Sequence, residues 1–219
     1  MRSVFVLDND AISKMSIAAG LSASHRDMNI LTAQLVSGVT QAIRFDGCLY
    51  EGMKEYTSHF VPYERIKFLS SSFGPFIPLS RQNEPSPSVL QISESFCNPE
   101  NNFAGQASTG GKVMSFCLQF AGQVVPKDVG QQAILLLKKS HTWVDWSPTG
   151  FRCGLTYNVP KVLESSGLVA PLRTGTMISN RTSAFKTFVG ACDAFDANLQ
   201  NKSMLNLATQ NGEEESNLM

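Results

Sequence analysis

The chain has 219 residues, 42% of them apolar and 16% charged, enough to bury a sizeable core and too apolar for general disorder. Its 18 basic and 18 acidic side chains leave a formal net charge of +0, so no global field draws it to nucleic acid or to an anionic membrane. The apolar run before Asp8 is too short for a secretory signal, no stretch approaches the roughly 18 apolar residues of a membrane span, and Cys48, Cys97, Cys117, Cys153 and Cys192 form no CxxC pair, so the expectation is a cytoplasmic protein with reduced thiols and no zinc site.

From the N-terminus, the β-branched and aromatic run Arg2 to Leu7 predicts a strand, and Asp8 or Asn9 in "DNDAI" can cap a following helix. Between Met28 and Ile43, the apolar residues Ile30, Leu31, Leu35, Val39 and Ile43 recur near a 3.6 period, which predicts a long helix with one broad buried face. Gly38 weakens its intrinsic helicity, so tertiary packing must compensate. After "FDG" a shorter helix is expected over Tyr50 to Phe60, stopped by Pro62. "RIKFLSSSF" reads as a strand, and the prolines of "GPFIPLSRQNEPSPS" predict a loop without regular helix or central strand.

A helix from Ser88 to Phe96 follows, ended by Pro99, and then the strongest strand, Lys112 to Phe120. Its alternation places Val113, Ser115, Cys117 and Gln119 on one face and Met114, Phe116, Leu118 and Phe120 on the other. "VVPKDVGQQAILLLKKS" suits a helix, with Pro126 in its first turn, Asp128 near its positive end and Lys138 and Lys139 near its negative end. "HTWVDW" and "FRCGLTY" around "SPTG" predict two neighbouring strands, and "GTMIS" another. Ser183 to Leu199 reads as a helix, and the polar "NGEEESNLM" as a frayed end. The order of elements implies an α/β fold with a helical C-terminal region.

Several chemistries find no support. His25, His59 and His141 occupy no recognisable nucleophile or metal-ligand setting, and packing or exposure is their ordinary fate. "STGGKV" lacks phosphate-loop spacing and runs into a strand, so it reads as a tight turn. The sequons at Asn180 and Asn201 matter only after secretion and are read as chance. The loop "RFDGCLYEGMKE" reads on its own as a polar interhelical turn, with Asp46 capping and Gly47 taking an unusual backbone angle.

The blocks "VFVLDNDAI", "QLVSGVTQAIRFDG", "VPYERIKF", "GQVVPKDV", "VDWSPTGFRCGLTY", "GTMISNRTSA" and "FDANL" occur in the order and spacing of the second half of α-tubulin, and the chain resembles that family from Val4 to about Gly212. Glu55 resembles the α-type acid where β-tubulin has a lysine, while Tyr50 and Gly52 depart from the family's asparagine and aspartate.

The resemblance implies an α/β fold with α+β character: a mixed intermediate-domain sheet flanked by helices, preceded by a core helix and followed by part of the C-terminal helices. It divides the chain into residues 1–44 (remnant strand, helix and core helix of the nucleotide domain), 45–182 (intermediate-type domain) and 183–219 (C-terminal helical region). The family's nucleotide domain, with its phosphate loop, is expected to be absent before Met1. GTP contact is therefore expected on the guanine side only, with Asn9 and Asn29 hydrogen-bonding the base and His25 where the family stacks a tyrosine, and with weak or absent binding in the isolated chain. Glu55 is implied to act in trans on the GTP of a neighbouring β-tubulin. The implied partners are β-tubulin or the microtubule lattice, and the implied role is a structural or interaction component of the cytoplasmic cytoskeleton. A GTP-hydrolysing tubulin, and a non-polymerising module that binds tubulin or its folding factors, are the alternatives.

Overall fold

The structure, a computed structural model, describes residues 3–45, 47–49, 58–61, 63–105, 110–146 and 151–200. A mixed six-stranded sheet organises the first of two units, Met1–Ala184. Its strands are β1 (Val4–Phe5), β2 (Gly47–Leu49), β3 (Phe68–Gly74), β5 (Val113–Gly122), β6 (Phe151–Thr156) and β8 (Arg173–Arg181), in the order β1-β3-β8-β5-β6-β2. A separate pair, β4 (Ile77–Pro78) with β7 (Leu168–Val169), is antiparallel. β1 runs parallel to β3 and β5 parallel to β6, whereas β8 is antiparallel to both β3 and β5.

Central placement buries every residue of β5, so its alternation separates two cores rather than core from solvent. Phe116, Leu118 and Phe120 join Val89, Ile92, Phe96, Val129, Ala133 and Leu137 from the helices on one side. Cys117 joins Phe60, Val61, Leu69 and Ile178 in another cluster. A register shift between Val113 and Ser115 turns Val113 into the Phe116 cluster, out of step with the expected alternation.

The helices are α1 (Asn9–Ala18), α2 (His25–Val39), α3 (Gln41–Arg44), α4 (Val89–Cys97), α5 (Pro126–Asp128) and α6 (Ile134–Ser140), with a π-helical turn, Val129–Ala133, joining the last two. α4 begins with a capping box: Ser88 Oγ accepts from Gln91 N at 3.3 Å, and Ser88 N donates to Gln91 Oε1 at 2.8 Å. Such a cap contributes about 1 kcal/mol and fixes the helix start that "SPSVLQ" encodes. The second unit, Phe185–Met219, contains α7 (Phe185–Gln200), close to the expected helix and preceded by a 310 turn at Thr182–Ala184.

Three expectations are corrected. The long helix starts at His25 rather than Met28 and ends at Val39, with α3 continuing separately. Thr40 Oγ1 donates to Val36 O at 2.8 Å and Arg44 Nη2 donates to Ser37 O at 2.7 Å, satisfying the carbonyls of α2's last turn so that the helix ends there.

"HTWVDW" is not a strand. His141 caps α6, Trp143 Nε1 donates to Lys138 O at 3.3 Å, and only Trp143 forms a bridge, parallel to Val113. The segment therefore meets the sheet at a single point, Val113 N donating to Thr142 O at 2.8 Å and Val144 N to Val113 O at 3.1 Å.

The proline-rich loop does hold regular pieces, β4 and a 310 turn at Leu79–Arg81, before Pro85 and Pro87. Proline is tolerated in β4 because a two-residue pair leaves few ladder donors to lose. Of the expected helix over Tyr50 to Phe60, the described residues 58–60 are helical; its remainder, Pro62, the "SPTG" turn and "NGEEESNLM" lie outside the described residues.

Candidate functional site

α1 and α2 pack together through Ile12, Met15, Ala19, Leu31 and Leu35. Asn9 is the first residue of α1, His25 is the first of α2, Asn29 lies about one turn further on, and all three are exposed. Among the described residues no hydrogen bond joins these three side chains, so the fold places them on neighbouring helices without coupling them. Exposed amides can donate and accept together, which suits the edge of a base.

Sequence reasoning overlooked Asp27 beside them. Ser22 and Ser24 both donate to its carboxylate, and Ser24 Oγ accepts from Asp27 N at 3.3 Å. The hydrogen bond from Ser22, then that from Ser24, holds the Asp27 carboxyl below the usual carboxylate range. The Ser24-x-x-Asp27 spacing, a helix-start signature, was the legible signal.

The "RFDG" loop joins α3 to β2. Arg44 folds back on its own helix end, with Nε donating to Thr40 Oγ1 at 3.1 Å, Nη2 to Ser37 Oγ at 2.8 Å, and the guanidinium 5.0 Å from the Phe45 ring centroid. Gly47 corrects a further expectation, because its backbone takes no left-handed angle. A Cβ there would fall 2.2 Å from Leu155 O, so the glycine serves the close approach of β2 to β6. Glu55, the expected acid, lies outside the described residues, as do Asp46, Tyr50 and Gly52.

An aromatic pair crowns the same unit. Tyr63 and Trp146 meet edge to face with ring centroids 5.9 Å apart, yet remain 61% and 53% exposed. Val125, just before α5, and Leu135, in α6, are also exposed, at 56% and 53%. Large aromatic side chains left half in water in a fixed mutual geometry are the usual anchors of a protein interface. Reading "HTWVDW" as a strand hid this pair.

A cavity of about 680 Å³ lies between α2, the segment after β3 and the loop before β7. Ile30, Phe73, Phe76, Val162 and Leu168 give it apolar walls, and Gln34 points a buried Nε2 with no hydrogen-bond partner toward the same region. The chemistry suits an apolar body carrying one acceptor.

The other two histidines have packing roles. His59 Nε2 contacts Phe116 O at 3.3 Å, and His141 Nδ1 contacts Leu137 O at 3.0 Å. Burial, before any neighbouring charge, pulls both imidazole pKa values below 6.5. Gly110 and Gly111 in "STGGKV" take φ of 73° and 76°, as a tight turn into β5 requires, while Ser108 and Thr109 lie outside the described residues. Among the described residues no group of histidine, cysteine or acidic side chains has the arrangement of a metal site, and no helix is long and apolar enough to cross a membrane.

The family model of the tubulin C-terminal domain matches residues 64–193, from just before β3 into α7. The chain belongs to the tubulin family. It is 36% identical to the nucleomorph tubulin alpha chain of Guillardia theta over 214 residues, which is 96% of this chain and 48% of that one. It is 34% identical to the tubulin alpha-1B and alpha-2B chains of Physarum polycephalum over 215 residues, with the same coverage. The chain spans about half the length of the curated relatives it matches, and these are alpha chains, in keeping with the resemblance read from the ordered blocks. The tubulin match includes β3, β5, β6 and β8, the strands that organise the sheet, together with the exposed Trp146.

Proposed function

We propose that this chain is an α-tubulin-like structural constituent of microtubules that meets a neighbouring β-tubulin end to end. The observation that carries this reading is the exposed, edge-to-face pair Tyr63 and Trp146, accompanied by Val125 and Leu135. Burying such aromatic groups against a partner supplies apolar area at low conformational cost, and a few anchors of this kind dominate interface energy. By family resemblance the "RFDG" loop and the helical segment after "VVPKDV" meet the same neighbour, and Glu55 is offered to its nucleotide as a base that orients water.

GTP enters as a ligand of the base edge alone. Asn9 and Asn29 have the donor and acceptor groups for guanine, and His25 has a ring that could stack, but the described glycine turn at Gly110 and Gly111 leads into a strand rather than a helix. The residues present thus fit a base and not its phosphates. The isolated chain is expected to bind GTP weakly and to have no GTPase activity of its own. Cytoplasm and cytoskeleton are the compartments this role requires.

A second reading, a non-polymerising module that occupies tubulin or its folding factors, is favoured by Ile17 and Val36, exposed at 63% and 53% on the paired helices α1 and α2. Sedimentation with assembling tubulin separates the two. A lattice constituent pellets in proportion to polymer mass, whereas an end cap or folding-factor decoy does not. Glu55→Ala in a co-assembled lattice should slow GTP hydrolysis, and an unchanged rate removes the catalytic role.

A further inference from the structure

A second cavity, of about 250 Å³, is lined by Cys97 and Asn98 at the end of α4, Asn102, Gly110 before β5, His141 just after α6 and Arg181 at the end of β8. The thiol of Cys97 is half-buried there, whereas Cys117 is buried and Cys192 exposed. Cys97 Sγ donates weakly to Ser93 O at 3.7 Å and to Ser140 Oγ at 3.4 Å. Ser140 Oγ has its own hydrogen committed to Leu136 O at 2.6 Å, so both partners of the sulfur are acceptors. They suit a thiol, and they leave an oxygen added to it without a donor.

Asn102 supplies that donor. The residue is 2% exposed, and its Oδ1 accepts from Ala104 N at 2.9 Å. Among the described residues its Nδ2 makes no hydrogen bond, so a buried amide presents its N–H groups to the cavity. A buried donor without an acceptor is costly, and an oxygen in the cavity would answer it. His141 adds a defined tautomer: Leu137 O can only accept at the 3.0 Å contact, so Nδ1 carries the hydrogen and Nε2 is an acceptor. Arg181 is engaged by Ser179, its Nε donating to Oγ at 3.1 Å, and serves as a wall of the cavity rather than as a ligand.

We propose that Cys97 is an oxidation site for small hydroperoxides, with Asn102 Nδ2 donating to the sulfenic oxygen and His141 Nε2 accepting its hydrogen. Sγ attacks one peroxide oxygen; the S–O bond forms as the O–O bond breaks, and sulfur gives up two electrons to the peroxide. The departing hydroxide takes up the thiol proton and leaves as water. An N–H donor beside the reacting oxygens stabilises the charge that develops as the O–O bond breaks, which speeds the step as well as holding its product.

Hydrogen peroxide titrated onto the full chain, with dimedone trapping sulfenic acids and mass spectrometry reading each cysteine, tests this. By exposure alone Cys192 should react first. The expected result is that Cys97 is labelled at about tenfold lower peroxide than Cys192, the factor that a hydrogen bond to a charged group supplies, and that the two label alike in urea. Asn102→Asp keeps the acceptor for Ala104 N and removes the donor, so in the folded variant labelling of Cys97 should fall back toward that of Cys192. Labelling of Cys97 no faster than Cys192 in the unmodified folded chain overturns the site, as does a preference that persists in urea or in folded N102D.

Discussion

Gly38 lies so close to Thr176 that a Cβ on the glycine would fall 2.3 Å from the threonine Oγ1, and 2.9 Å from Cε2 of Phe73. The glycine that weakens α2 as an isolated helix is what lets it lie against β3 and β8. Gly38→Ala should therefore destabilise the protein by about 1–3 kcal/mol, overpacking outweighing the gain of about 1 kcal/mol in helix propensity. A urea titration checks the sign, and T176A in the G38A background should recover part of the loss.

Asn180 ties the segment bearing Tyr63 to the sheet. Its Nδ2 donates to Phe60 O and to Ile66 O, each at 2.8 Å, and the residue is 1% exposed. Asn180→Ala should cost about 2–4 kcal/mol, because the Ile66 and Phe60 carbonyls lose this donor together and Phe60 O keeps the longer contact from Ser115 Oγ at 3.4 Å. N180D should fare no better, since a carboxylate cannot donate to either carbonyl. Denaturant midpoints of the two variants provide the comparison. The same burial makes the sequon at Asn180 unusable in the folded chain.

His59 and His141 make stability depend on pH. Burial lowers both pKa values below the unfolded value of 6.5, so the unfolded chain binds more protons as the medium acidifies. Their contribution is fully present above 6.5 and is lost as pH falls through the lowered folded values. The midpoint of urea unfolding should fall between pH 7.5 and roughly 5.5, below the ordinary histidine value, and H141F should flatten that fall.

Much of the fold was legible because local and tertiary preferences agree. Ser88 with Gln91 marks the start of α4, Asp8 marks that of α1, and the alternation from Met114 to Phe120 separates two buried faces. Sequence reasoning failed where a distant group decides. Thr40 and Arg44 end α2 by taking its last carbonyls, Trp143 is tied to Lys138 O and meets β5 only at Val113, and Gly47 answers to Leu155 O across two strands. The candidate site divides in the same way. Asn9, His25 and Asn29 came from family likeness and stand exposed on two helix starts. The pairing of Tyr63 with Trp146 joins residues from opposite sides of the sheet sequence, and no local pattern announces it.

Tyr63 and Trp146 bear on the central proposal most directly, because their exposure separates folding from binding. Alanine at either exposed position should leave unfolding within about 1 kcal/mol of the unmodified chain, yet weaken a contact that uses them as anchors by roughly tenfold or more. The decisive measurement is sedimentation of the chain and of Trp146→Ala with assembling tubulin. The account predicts that the unmodified chain pellets in proportion to polymer and that the folded variant largely stays in the supernatant. An unmodified chain that stays in the supernatant, or a variant that pellets equally well, would contradict it.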